Sequence, residues 1–278
     1  MLQQAGSEID AAALVLTTAC DQMRYAAAVI DHEGRLPVFL MHVPSTWQTA
    51  ASADMYVEEL KRLGRFMVTL GGRSPGRDEL VRVILMYETA RAAVREARGR
   101  VSSRGLAQAI VEVRGEGRPT FDRDGDRGPA ESVPLALVGG PLALDDFAIF
   151  DLVEQVGARI VLDASETGER TLPSPMDRTQ VERDPLRTLA RAYFGSIPDV
   201  FRRPNKGLYD WLARELAAGE VRGIILRRYL WCDLWHAETE RLRRWSPVPV
   251  LTLDVSEDDD TMSRTRGRVE AFLETLRA

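Results

Sequence analysis

The chain has 278 residues, 45% of them hydrophobic and 28% charged, with a formal net charge of −5. That is enough apolar content for one large core or two medium ones, and it argues against disorder. The mild acidity is a poor match for nucleic acid or anionic membrane, no apolar run approaches the roughly 20 residues that span a bilayer, and residues 1–10 lack the basic-then-apolar order of a secretory signal.

Residues 14–18 (Leu-Val-Leu-Thr-Thr) are apolar and β-branched, which predicts a buried strand, with Cys20-Asp21 and a helix over about 22–30 after it. A second strand spans 36–43 and ends at Pro44. Met55, Leu60, Leu63, Phe66, Met67 and Leu70 recur at helical spacing until Gly71-Gly72, and Pro75 opens a further helix towards Arg98. From Arg114 to Pro134 glycine and proline accumulate, which reads as a linker between two lobes. Within it, Asp122, Asp124 and Asp126 copy the start of a calcium loop, but Val133 stands where the closing carboxylate belongs, so a solvated turn is expected.

Beyond the linker, strands are expected at 135–138, 158–162, from 223, and at 250–253. Helices are expected between them: one capped by Asp145 or Asp146 and closed at Gly157, others near 185–194, 206–218 and 233–244, and a terminal one over 262–276. A long polar loop occupies 167–183. Such alternation implies βαβ units. The expected fold is therefore α/β, with two Rossmann-like lobes of mostly parallel sheet, residues 1–114 and 133–278, joined by 115–132.

Cys20 and Cys232 are the only cysteines, too few for a disulfide framework, which points to a reducing cytoplasm. Each follows a strand and precedes an aspartate and a helix. Ligands of open α/β sheets bind at the carboxyl ends of strands. The following helix offers backbone N–H groups and a positive dipole end, which favour thiolate and an anionic cluster. On spacing alone, two distant cysteines are more often unrelated buried residues than co-ligands.

The surrounding residues carry more. Thr17-Thr-Ala-Cys20-Asp-Gln-Met-Arg24 resembles the Cys-Asp-x-x-Arg corner of the 2-hydroxyacyl-CoA dehydratase family, which includes the benzoyl-CoA reductase subunits. Val43-Pro44 to Trp47, Tyr56-x-x-Glu59-Leu60, Val138-Gly-Gly-Pro141, Arg227 to Asp233, and Arg264 to Glu274 are similar to its later segments in the same order. The resemblance implies two Rossmann-like lobes and an iron–sulfur (4Fe–4S), metal-binding subunit with Cys20 and Cys232 as ligands. It also implies pairing with a second family subunit or a homodimer partner, an ATP-dependent activator protein that delivers a low-potential electron, and an acyl-CoA substrate handled by lyase or reductase chemistry. Family subunits usually supply three cysteines. The one upstream of Cys20 has no counterpart here, so a truncated chain or a cluster that is incomplete or absent in this chain is expected. The alternative is a divergent, non-catalytic homologue that keeps the fold and pairing surface. A third reading is a cluster-free small-molecule binder.

Other residues are weaker candidates. His42, at a strand end on the edge of Cys20, reads as a donor to a substrate carbonyl or as a structural histidine. Glu166, Glu169 and Arg170 lie on the 167–183 loop or its approach, functional or simply solvated. Trp231 and Trp235 flank Cys232 as cluster shields or as core.

Overall fold

The computed structural model describes residues 11–121, 132–256 and 261–277; the aspartates at 122–126 lie outside the described residues. In chain order the elements are β1 (Leu14–Thr17), α1 (Asp21–Glu33), β2 (Val38–Met41), α2 (Ala50–Thr69), α3 (Arg77–Ala97) and α4 (Ser103–Glu116). Then come β3 (Val133–Gly139), α5 (Ala148–Gln155), β4 (Ala158–Ala164), α6 (Arg178–Arg183), α7 (Pro185–Ala190) and α8 (Lys206–Ala218). The chain finishes with β5 (Gly223–Tyr229), α9 (Asp233–Trp245), β6 (Val250–Val255) and α10 (Thr261–Arg277). Among the described residues all strand pairs are parallel, as the alternation predicts.

Internal packing divides the chain into two compact units. The first comprises the chain up to Leu85, Ser174–Ile197 and Phe201–Asn205; the second comprises Met86–Pro173, Pro198–Val200 and the chain from Lys206 on.

In the first unit β1 and β2 form a two-stranded sheet, with Leu14 opposite Val38 and Thr17 opposite Met41. α1 makes the crossover and stops where Gly34 takes φ 65°, a conformation glycine adopts without a Cβ clash. Thr49 caps α2, its hydroxyl accepting from Ser52 N at 3.1 Å. A pair of strands is marginal by itself, and the helices supply most of the apolar contact. Ile84, Met176, Val181 and Ala192 form a small core, and Tyr56 stacks on Phe194 at 4.8 Å.

The second unit is built on a four-stranded sheet of order β4-β3-β5-β6. Leu135, Ala136, Leu137 and Val138 of β3 are all fully buried. Leu135 and Leu137 face a core with Phe150, Val153, Phe272 and Leu273, while Ala136 and Val138 face one with Leu208, Leu212, Trp235 and Leu242. Covering both faces explains why this strand reads as an unbroken apolar run.

Three details depart from the expected elements. α4 runs into the glycine-rich segment and ends only at Gly117, with φ 67°. The 167–183 stretch contains a 3-10 turn at Glu169–Thr171 and the short helix α6. Asp146 caps no helix; one carboxylate oxygen accepts from Ala143 N at 2.8 Å and the other takes Arg227 Nη2 at 2.5 Å. Buried Arg227 needs a counter-charge, and that demand outweighs local capping.

Candidate functional site

The first unit places Cys20 at the N-cap of α1, directly after β1. Its backbone is extended, with φ −140° and ψ 157°, and its Sγ accepts from Met23 N at 3.4 Å. The sulfur thus occupies the place a serine or aspartate oxygen usually fills, where the helix N–H groups favour negative charge. Arg24 turns back and donates from Nε and Nη2 to Thr18 O, both at 3.2 Å, which places a guanidinium beside the same corner. Thr18 Oγ1 accepts from Val43 N at 2.9 Å and lies 3.4 Å from His42 Nδ1. His42 is exposed, and its backbone N–H donates to Glu59 Oε2 at 2.8 Å. Burial pushes Glu59 up, but bonds from Arg62 and the His42 N–H outweigh it and hold the carboxyl below its usual value.

The second unit places Cys232 three residues beyond β5, at the residue before α9, with Cys232 N bonded to Tyr229 O at 3.0 Å. Unlike Cys20, it makes no side-chain cap bond to its helix. β3 is first in the sheet, with β4 on one side and β5 on the other, so chain direction across the sheet reverses between β3 and β5. A crevice at such a reversal is where open α/β sheets bind ligands. Gly139, with φ 139°, ends β3 there; a Cβ on it would collide with the Arg227 carbonyl, and Gly140 N bonds that same oxygen at 3.1 Å.

A buried polar network supports this corner. Trp235 is 1% exposed and its Nε1 donates to Glu166 Oε1 at 3.0 Å. Arg170, also 1% exposed, donates to Ala164 O at 3.1 Å and Pro198 O at 2.8 Å, pairs with Asp199 at 3.1 Å, and stands 3.9 Å from Glu166. Burial, reinforced by Asp199, holds the Glu166 carboxyl above the usual carboxylate range, against the opposing pull of Arg170 and the Trp235 bond.

Glu166 therefore lies in the supporting network of the Cys232 corner, and His42 stands by Thr18 near Cys20. The two tryptophans diverge: Trp235 is core, whereas Trp231 is 76% exposed. Arg170 is no solvated loop residue but the centre of the network. Its near neighbours Ala164 and Glu166 are only part of its surroundings; Pro198 O and Asp199, which complete them, come from a distant segment of the chain. Among the described residues no group of three or more His, Cys, Asp or Glu side chains is arranged to hold a metal ion. Cys20 and Cys232 match the soft, anionic donors an iron–sulfur cluster takes, but a cubane cluster needs about four such positions. As a donor set they are partial, and completing it requires ligands beyond these two.

No helix among the described residues is long and apolar enough to cross a membrane. No curated protein matches this chain. The family model described as 2-hydroxyglutaryl-CoA dehydratase, D-component, matches residues 4–276, nearly the whole sequence, and the chain belongs to that family.

Proposed function

We propose that the chain is a cytoplasmic subunit of a 2-hydroxyacyl-CoA dehydratase-like or benzoyl-CoA reductase-like enzyme that acts on an acyl-CoA thioester. The observation that carries this reading is the repeated corner: in each unit a parallel strand leads to a Cys-Asp pair at the start of a helix. Cys20 and Cys232 converge in this reading as ligands of one 4Fe–4S cluster. The missing positions are filled from a second family subunit or a homodimer partner. An ATP-hydrolysing activator protein supplies the electron. When bound, the cluster supplies one-electron reduction at low potential.

The chain's own residues hold and orient. Arg24, anchored on Thr18 O, keeps a positive charge beside Cys20. Glu166 accepts from Trp235 at Oε1, which leaves Oε2 to carry the proton that burial favours. That carboxyl is our candidate for delivering a proton at the β3–β5 crevice, and His42 is the corresponding donor in the first unit. Trp235 and its apolar neighbours exclude water from the base of the Cys232 corner.

Anaerobic reconstitution with iron and sulfide, with and without the co-expressed partner subunit, tests the reading. A brown 4Fe–4S species is expected, lost in Cys20→Ser and in Cys232→Ser, with far-UV circular dichroism unchanged in both. A colourless protein under every condition counts against it. The shortfall of thiols favours a second reading, a non-catalytic homologue that keeps the fold and pairing surface. It predicts a stable, colourless complex with the partner.

A further inference from the structure

The two sheets end in the edge strands β1, β2, β4 and β6. An open edge offers unpaired N–H and C=O groups to any passing strand, and proteins cover or blunt such edges. Three of these edges carry side-chain caps. On β2, Leu40 O accepts from Arg62 Nη2, and just past the strand His42 N donates to Glu59 Oε2 at 2.8 Å. On β4, Ile160 O accepts from the Ser103 hydroxyl, and Asp163 N donates to Glu169 Oε1 at 3.1 Å. On β6, Thr252 O accepts from Arg268 Nη2 at 2.7 Å.

β1 differs from all three. Leu14 N bonds Pro37 O at 2.9 Å and Thr18 N bonds Met41 O at 3.0 Å. In this parallel ladder Leu14, Leu16 and Thr18 therefore face β2, and the backbone of Val15 and Thr17 faces outward. Among the described residues nothing bonds those outward N–H and C=O groups. The sequence devices that blunt an edge are missing as well, since residues 11–19 (Ala-Ala-Ala-Leu-Val-Leu-Thr-Thr-Ala) hold no charge and no proline. The run reads as a buried strand, yet Val15 is 46% exposed. Met23 is 40% exposed, and its Sδ accepts from Thr17 Oγ1 at 3.3 Å.

We propose that this edge is a self-association surface, on which β1 pairs antiparallel with β1 of a second copy of the chain about a twofold axis at Leu16. Val15 N–H then donates to the other copy's Thr17 O, and Thr17 N–H to its Val15 O, with both bonds repeated by symmetry. The Val15 and Thr17 side chains meet across the strands as a β-branched pair, with Met23 against them. α1 packs on both β1 and β2, so its axis lies near their midline. Strands spaced about 4.8 Å apart then set the two α1 axes about 9–10 Å apart, the distance at which helices pack.

Two features select a second copy as the occupant. Each chain carries a net charge of −5, so a self-contact must be neutral to escape repulsion. This one is, because across the axis the Cys20-Asp21 corner meets Ala12 and Ala11 and no second carboxylate. The joined sheet, β2-β1-β1-β2, also ends on both sides in the edge that Arg62 and Glu59 cover, so assembly closes at a dimer and does not grow into a fibre. The inference does not rest on the dehydratase reading: the pairing uses no cysteine and leaves the two Cys20 corners beyond opposite ends of the paired strands.

Sedimentation velocity of the full chain under reducing conditions, up to about 200 μM, tests it. A contact this small predicts a reversible dimer with a Kd of about 1–100 μM. Val15→Pro removes only the outward N–H, which β2 does not use, and Val15→Lys places a charge on the edge; each should weaken the dimer roughly tenfold or more. Far-UV circular dichroism and thermal melts establish that each variant is folded. Disulfide trapping in a Cys20→Ser, Cys232→Ser background reads the register. Leu16→Cys lies on the axis, where facing Cα atoms of a non-hydrogen-bonded pair are about 4.5 Å apart, and should link two chains on oxidation. Val15→Cys is offset from its own mate and should link far more slowly. The proposal is overturned by a chain that stays monomeric at about 200 μM, or by Val15→Pro and Val15→Lys dimerising as tightly as the parent. A parent dimer that Leu16→Cys does not trap, or open-ended assembly, overturns it too.

Discussion

Glu169 shows how a single carboxyl is governed by competing terms. It pairs with Arg98 at 2.7 Å and accepts from Asp163 N, yet burial dominates and pushes it up from 4.5 to about 7. Its folded-state value lies above its unfolded one, so the native protein binds more protons between those limits. Its stabilising contribution is complete below about pH 4.5 and is lost as pH rises through about 7. In Glu169→Gln that loss disappears. Urea unfolding between pH 5 and pH 7 should show a stability slope more positive than the parent's by up to about 1.4 kcal/mol per pH unit; parallel slopes would show that Glu169 does not titrate there. Gly139 makes a second residue-scale case. Its φ of 139° and the collision a Cβ would make with Arg227 O leave no room for a side chain. Gly139→Ala should cost about 3–5 kcal/mol in chemical denaturation and loosen the β3–β5 crevice.

At the scale of elements, helix ends decide much of what was legible. Cys20, Thr49 and Ser102 are N-caps, and Gly34 and Gly117 close helices in the left-handed region. Strands of the second unit were readable because their apolar runs end in turn residues. α4 was not read: Gly105, Gly115 and Gly117 dilute its pattern, and its start fell between a helix expected to end near Arg98 and a linker expected from Arg114. Yet Leu106, Ile110 and Val113 repeat at helical spacing on its buried side. Glycine inside a helix weakens it where nothing requires the missing Cβ. Gly64 in α2 is exposed and has nothing within 4 Å of an added Cβ. Gly64→Ala should therefore raise stability by roughly 0.5–1 kcal/mol, seen as a shifted urea midpoint at constant slope. The Glu166–Arg170–Asp199 network was only partly visible in the sequence. The polar loop was noted, but the burial that makes Arg170 its centre depends on segments far away in the chain.

At the scale of the whole molecule, the parallel α/β character followed from the alternation of runs, and each cysteine does stand after a strand and before a helix. The proposed convergence of Cys20 and Cys232 is a matter of tertiary arrangement and calls for its own measurement. Ligand sulfurs of one cluster lie about 6–7 Å apart, so in the cluster-loaded arrangement the apoprotein thiols should sit within roughly 10–12 Å. A bismaleimide reagent of matching span should then join the two within one chain, yielding a single cross-linked tryptic peptide pair. Modification at each thiol separately, with no joined pair, would argue that they serve different sites.

The first unit is discontinuous, and this sets a timetable for synthesis. Its opening stretch ends at Leu85, but Met176, Val181, Ala192 and Phe194, which complete its core and its ring stack, belong to a segment that returns at Ser174 and finishes at Asn205. A ribosome adding about 5–20 residues per second must therefore work on for several seconds to some tens of seconds before the nascent N-terminal stretch meets its partners. During that interval Val57, Ile84 and the apolar side of α2 remain without their full cover, while much of the second unit's sequence has already emerged. The part made first is thus completed only once Asn205 has emerged, and its exposed intermediate is where a holdase chaperone would have its substrate.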